Sequence, residues 1–352
     1  MNTKVSTCIV IVAFARPNLL KKILNQIDSR ENLNVLISVD GATSKLPNNT
    51  IEANNECKKI AREWVKSTSH NARLIFLKEN LGCNAHTLSA MKSSLKYYDQ
   101  GILLEDDCQF RIEYIDFILN NEEILQDPKY LSASGWHVNW NRDLLKKPTN
   151  EVIEFQISPF MGASMGLVFN VRSIEIFEKS LNEYNLELWH NQIKKFTKSL
   201  PVNFLQKQAI EFFWNEKLVS CLRTWNKELP TYNKHLENGW DARWQLAGIL
   251  NEKKFLLPNW ILARASQDQD GISWHTQKIA KNYVDWSNLN LFVKIEPLDF
   301  GTIKTLNDFR EITGLGISHY PIKIVIVKLA TKLIQKNAFK RIINSKNRIK
   351  VN

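Results

Sequence analysis

Four short apolar runs, each separated from the next by a helix-like segment, constrain this chain more than any other feature. The runs are Cys8–Ala13, Asn34–Val39, Leu74–Leu77 and Gly101–Leu104. Between the first two, Pro17 opens a stretch with Leu19, Leu20, Ile23, Leu24 and Ile27 at helical spacing. Glu52–Val65 reads as a second helix, with Ile60, Ala61, Trp64 and Val65 on one face, and Ala85–Tyr98 as a third. This alternation predicts an α/β fold with a doubly wound sheet and parallel strands at its centre. The fourth run closes on Glu105-Asp106-Asp107. Three acids then lie at the carboxyl end of a buried strand, where open α/β sheets bind ligands. Adjacent carboxylates there are costly without a cation. Mg²⁺ or Mn²⁺ takes carboxylate oxygens and brings a diphosphate with it. The pattern predicts a metal-dependent enzyme that uses a nucleotide diphosphate.

Neither G-x-G-x-x-G nor a Walker loop is present, which argues against a dinucleotide enzyme or a P-loop NTPase. Beyond the acids, 113–125 reads as a helix, and Tyr130–Ser134, Val152–Ile157 and Lys254–Leu257 as strands. The stretch 141–150 reads as a loop. The region 172–250 is mostly helical, broken by Pro201 and Pro230, and the polar segment Ser266–Gly271 has the character of a lid. Repeats and low-complexity linkers are absent. The simplest division is a catalytic domain over 1–278, an extension over 279–311 and a tail over 312–352.

No apolar run reaches the roughly 18 residues that a membrane-spanning helix requires. The run from Cys8 to Ala15 ends in Arg16-Pro17 rather than in small residues, so it reads as a first strand and not a signal segment. Five cysteines without a C-x-x-C pair suggest neither a disulfide framework nor a zinc site, and point to a reducing compartment. Cys108, beside the acids, reads as packed rather than ligating, because Mg²⁺ and Mn²⁺ disfavour thiolate. The formal charge is +11. Most of it sits after Ile312, where nine Lys and Arg residues meet no acid, and the remainder of the chain is close to neutral. In that tail, Ile326, Leu329, Ala330, Leu333 and Ile334 share one helical face, with Lys328, Lys332 and Lys336 opposite. Such a basic amphipathic helix suits an anionic membrane surface; a helix packed on the protein body is the other reading. Nucleic-acid binding is disfavoured, because phosphate-tracking surfaces spread their basic residues over the fold.

Several ordered motifs resemble those of GT-A fold glycosyltransferases, nearest to the N-acetylglucosaminyltransferase I type (glycosyltransferase family 13) and its bacterial relatives in surface-polysaccharide synthesis. They are Ala13-Phe14-Ala15-Arg16-Pro17, Ser38-Val39-Asp40-Gly41, Asn84-Ala85-His86, Glu105-Asp106-Asp107, the apolar glycine segment Phe160–Gly166, and Gly239-Trp240-Asp241. The resemblance covers residues 5–278. It implies a GT-A mixed sheet flanked by helices, and a site in which Arg16 contacts the donor diphosphate while Asp40 and His86 read the uracil. It further implies that Glu105 orients the transferred sugar, Asp106 lies near the ribose or metal waters, and Asp107 binds Mn²⁺ or Mg²⁺. Trp240 would line the sugar pocket and Asp241 would be the catalytic base. His275, in Ser273-Trp274-His275, is a second metal candidate. The chain departs from the pattern at Leu262–Asp268, where the family has a serine-containing stretch near the donor phosphates.

The expected reaction is transfer of a sugar, N-acetylglucosamine by the resemblance, from a UDP-sugar to a glycan or lipid-linked glycan acceptor, with inversion. The expected location is cytoplasmic, peripheral at the inner face of the cytoplasmic membrane. Three alternatives stay open. A sugar nucleotidyltransferase would share the sheet and the acids, but it normally needs a glycine-rich phosphate loop that Ala13–Asn18 lacks. The others are a non-catalytic glycan-binding protein and a nucleic-acid-binding protein. By residue type alone, Asp241 also reads as a helix N-cap, Asp40 as a turn residue, and Trp136, His137, Trp140 and Trp240 as core aromatics.

Overall fold

A computed structural model describes residues 6–135, 155–158, 161, 164–182, 186–200, 207–208, 210–211, 214–215, 240–258, 262–265 and 295–297. The first half alternates strand and helix as the apolar runs predict. The elements are β1 Thr7–Ala13, α1 Pro17–Ile27, β2 Asn34–Val39, α2 Asn48–Ser67, β3 Asn71–Phe76, α3 Gly82–Ser94 and β4 Gln100–Glu105. A short β5, Cys108–Phe110, is followed by α4 Ile112–Asn120, a 3₁₀ turn at Glu122–Gln126 and β6 Tyr130–Ala133. Then come β7 Phe155–Ser158, β8 Leu167–Asn170, α5 Val171–Asn182, α6 Leu186–Ser199, α7 Trp240–Leu250, β9 Lys254–Pro258, β10 Ala263–Ala265 and β11 Ile295–Pro297.

The main sheet is mixed, in the order β11-β7-β9-β6-β8-β4-β1-β2-β3. Strands β3, β2, β1 and β4 are mutually parallel. Strand β8 enters antiparallel beside β4, so direction reverses there. β1 lies at the centre of the parallel half and is buried along its whole length. Its side chains divide by pleat. Ile9, Ile11 and Ala13 face a core built with α1, α2 and α4, while Cys8, Val10 and Val12 face one built with α3, α5 and α7. Burying one such Ile or Val side chain is worth about 1.5–3 kcal/mol, so both faces of β1 hold their helices firmly. β4 packs closely enough on β8 that a Cβ at Gly101 would lie 2.3 Å from the Phe169 ring.

Several boundaries differ from expectation. β3 begins at Asn71, not Leu74. The buried stripe of α2 is Asn54, Cys57, Ala61 and Trp64, with Ile60 and Val65 only partly buried. The helix expected over 113–125 breaks after Asn120 and resumes as the 3₁₀ turn. α7 starts at Trp240, two residues earlier than expected. β8 directly follows the Phe160–Gly166 segment, and neither it nor the ribbon of β5 with β10 was foreseen. The lid segment, His275, the Trp136–Trp140 cluster and the basic tail lie outside the described residues.

Candidate active site at the carboxyl ends of the parallel strands

The acids sit where β4 ends. Asp106 and Asp107 form the turn between β4 and β5, and the Asp106 N–H donates to the Val12 carbonyl at 2.9 Å, extending the β1–β4 pairing to its last rung. One Asp106 carboxylate oxygen, Oδ2, accepts from the Phe14 N–H at 3.1 Å. Its other oxygen, Oδ1, meets Arg16 Nη1 at 2.7 Å, and the same nitrogen lies 2.8 Å from Asp107 Oδ2. Pro17 starts α1 directly after Arg16, so the loop delivers the guanidinium from the strand next door. Both acids are nearly buried. Burial, only partly offset by Arg16, pushes Asp106 up to about 6. Burial, aided by the charge of Asp107, pushes Glu105 up to about 7. For Arg16, burial opposes the charged form, but the charges of Asp106 and Asp107 outweigh it and the net shift is upward.

Arg16 thus stands as the resident counter-cation of the acids. Asp107 Oδ1 remains buried without a hydrogen-bond partner. An anionic oxygen left that way is expensive, and a hard cation would satisfy it. Among the described residues no group of three or more His, Cys, Asp or Glu is arranged to hold a metal ion. A divalent ion at Asp107 would therefore draw most of its ligands from water and a bound diphosphate. Mg²⁺ commonly binds this way, through one or two carboxylates, and a carboxylate-only donor set suits Mn²⁺ or Mg²⁺ rather than zinc.

The β2 end supplies a second cluster. Asp40 is buried, and its carboxylate accepts from the backbone N–H groups of Gly41 at 2.8 Å, Leu81 at 2.9 Å and Gly82 at 3.0 Å. It ties the start of α3 to the end of β2, leaving roughly one of its four acceptor positions for a ligand. The following residue must be glycine, because a Cβ at Gly41 would lie 2.3 Å from the Glu79 backbone. His86, also buried, lies on α3 with Nε2 2.8 Å from Ser38 Oγ. Burial lowers its pKa, against the opposing charge of Asp40, so the ring is neutral at pH 7.

The third component arrives from far along the chain. Trp240, the first residue of α7, is 5% exposed. Its indole Nε1–H donates to Glu105 Oε1 at 2.9 Å, and its backbone N–H donates to Asn84 Oδ1 at 2.7 Å. The ring packs edge-on against Trp244, with centroids 6.3 Å apart. Trp240 thus orients Glu105 from within the core. Asp241 follows in the first helical turn rather than at the cap, and its charge acts on both Glu105 and Cys83.

The structure thus gathers Arg16, Glu105, Asp106, Asp107, Trp240 and Asp241 at one end of the sheet, with Asp40 and His86 at the adjacent strand end. His275 lies outside the described residues. Sequence reasoning missed two supporting amides. Asn54, fully buried on α2, donates through Nδ2 to the carbonyls of Phe14 at 2.7 Å and Asp40 at 2.9 Å, fastening the β1 and β2 ends together. The signal for it was a polar residue on an otherwise apolar helical stripe. The other is Asn84, which opens the Asn84-Ala85-His86 motif but was given no role of its own. Cys108 is buried as expected, and the cysteines of the described residues are free. Among the described residues no helix is long and apolar enough to cross a membrane.

No protein-family model matches this chain, and comparison with curated proteins returns no match. The class defined at this point is an α/β protein with a mixed sheet and an acidic site at its strand ends.

Proposed function

We propose that this protein is a metal-dependent, inverting glycosyltransferase of the GT-A type, moving a sugar from a UDP-sugar to a glycan or lipid-linked glycan acceptor. The observation that carries the reading is the convergence of the acid triplet with Arg16 and with Trp240-Asp241, which lies 134 residues after Asp107 in sequence. The four parallel strands followed by an antiparallel neighbour agree with the doubly wound mixed sheet that the resemblance implies. N-acetylglucosamine is the sugar favoured by the resemblance. Surface-polysaccharide or lipooligosaccharide synthesis is the setting it favours.

The reaction breaks the bond from the sugar anomeric carbon to the diphosphate oxygen and forms one to the acceptor oxygen. The acceptor hydroxyl must lose its proton. Asp241 is the carboxylate proposed to take it, from the face opposite the leaving group. A divalent ion held at Asp107, with His275 as a second candidate ligand and Asp106 near the ribose or the metal waters, would supply Lewis-acid stabilisation of the departing diphosphate. Arg16, paired with Asp106 and Asp107, is proposed to contact the diphosphate through its guanidinium fork. Asp40 and His86 form the proposed base-reading end. Glu105, with one oxygen held by Trp240, keeps its remaining acceptor capacity for the sugar hydroxyls. The basic amphipathic tail is proposed to hold the enzyme at the inner face of the cytoplasmic membrane, on anionic lipid.

The direct test is donor hydrolysis and thermal shift across a panel of nucleotide sugars, with and without Mn²⁺, on wild type and Asp107→Ala. A Mn²⁺-dependent response to one UDP-sugar, lost in the variant, is expected. Silence toward the entire panel would overturn the reading.

A further inference from the structure

We infer that Asn84 is a positioning residue for Asp241, holding the first turn of α7 in register with the donor site; this rests on the glycosyltransferase reading above. The leading N–H groups of a helix have no partner within it. At α7 the Trp240 N–H is taken by Asn84 Oδ1 at 2.7 Å, from a residue 156 positions earlier. Asn84 lies in the first turn of α3, yet its side chain caps another helix. The start of α3 is itself pinned by Asp40 through Leu81 and Gly82. A continuous chain of hydrogen bonds therefore runs from the β2 end through the start of α3 to the turn that carries Asp241. Glu105 adds a second tie through the Trp240 indole.

The body of α7 is anchored separately. Trp244 donates its indole N–H to Ser132 Oγ at 3.1 Å and packs on Phe177 at a centroid distance of 5.1 Å, while the Gln245 side chain accepts from the Met161 N–H. Removing the Asn84 bond therefore loosens the first turn and leaves the helix seated. A general base tolerates little such looseness: a misplacement of about 1 Å costs on the order of 10²-fold in rate. Asn84 touches neither substrate nor reacting atom in this account and acts only through Trp240.

The experiment compares wild type, Asn84→Ala and Asn84→Asp, the last retaining an acceptor oxygen. It measures kcat and donor KM for transfer together with amide hydrogen exchange. Asn84→Ala should lower kcat about 30–100-fold with donor KM within about twofold. Exchange at the start of α7 should quicken about tenfold or more, with β1, β2 and β4 unchanged. Asn84→Asp should recover kcat to within about fivefold of wild type. The inference fails if Asn84→Ala turns over normally, if Asn84→Asp is as impaired as Asn84→Ala, or if exchange rises throughout the sheet. An inert wild type is a different failure: it removes the glycosyltransferase reading, and Asn84 is then a helix cap with no catalytic consequence.

Discussion

Replacing Glu105 with Gln should make the protein more stable at pH 8 and change it much less at pH 5. Glu105 is pushed from an ordinary 4.5 to about 7, first by burial and then by the charge of Asp107. Below the unfolded value the carboxyl is protonated in both states and contributes nothing differential. Between the two values the native protein keeps a proton that the unfolded chain has lost, so stability falls as pH rises. Above about 7 the penalty is complete. A shift of that size corresponds to about 3 kcal/mol at roughly 1.4 kcal/mol per unit. Coupling to Asp106 and Asp107 shares this cost, so about 1–3 kcal/mol is expected for the single substitution. Gln keeps an oxygen for the Trp240 indole N–H and alters only the charge. Urea unfolding of both proteins at pH 5, 6, 7 and 8 would show the two stabilities separating as pH rises. Curves that run parallel across that range would refute the argument that Glu105 carries an uncompensated charge in the native site.

Arg16→Met should be destabilised by about 2–3 kcal/mol at pH 7.5 without metal, below the roughly 3–5 kcal/mol of a fully buried ion pair, because the Arg16 side chain keeps 24% of its exposure. The loss should shrink when Mn²⁺ is added, since the ion replaces the missing charge; equal losses in urea titrations with and without Mn²⁺ would count against a cation site at these acids. Asp241→Asn should retain donor binding by calorimetry and lose transfer by about 10²–10⁴-fold, the usual range for a general base. Turnover near that of wild type would remove Asp241 from the mechanism.

The parts of the fold legible in sequence are those set by burial on both faces. β2 is expected and found at Asn34–Val39, β1 begins one residue earlier than expected, and β4 is longer by one residue at each end. The edge strand β3 was harder to read, because Asn71 and Arg73 sit among its apolar residues and its outer face is more exposed. β8 was hidden by its setting: it joins β4 from later in the chain and runs antiparallel, so its pairing is a non-local fact. β5 and β10 have three residues each, too few for a period to show. Asn121, with non-helical backbone angles after α4, ended the helix expected to continue through it. At the site, residue types were legible but partners were not. No local pattern announced that Arg16 pairs with Asp106 and Asp107, or that Trp240 holds Glu105. Both partnerships depend on which loop ends meet, and that follows from strand order rather than from any local pattern.

The charge balance of the site gives these partnerships a common cause. Three adjacent acids and Asp241 act on one another, and the cation found among them in the described structure is a single guanidinium. Arg16 pairs with Asp106 and Asp107, while Glu105 relies on an indole N–H, which is a dipole and not a charge. Burial therefore keeps Glu105 partly protonated near neutral pH, and Asp107 Oδ1 stays unpartnered. A site in this condition favours whatever brings positive charge together with hydrogen-bond donors. A divalent ion chelated by a diphosphate supplies the first, and sugar hydroxyls supply the second. In the proposed complex Arg16 would exchange a carboxylate for a phosphate oxygen without losing an ionic partner. The same electrostatics that raise Glu105 and Asp106 are thus the physical ground for proposing a metal–diphosphate ligand at these strand ends.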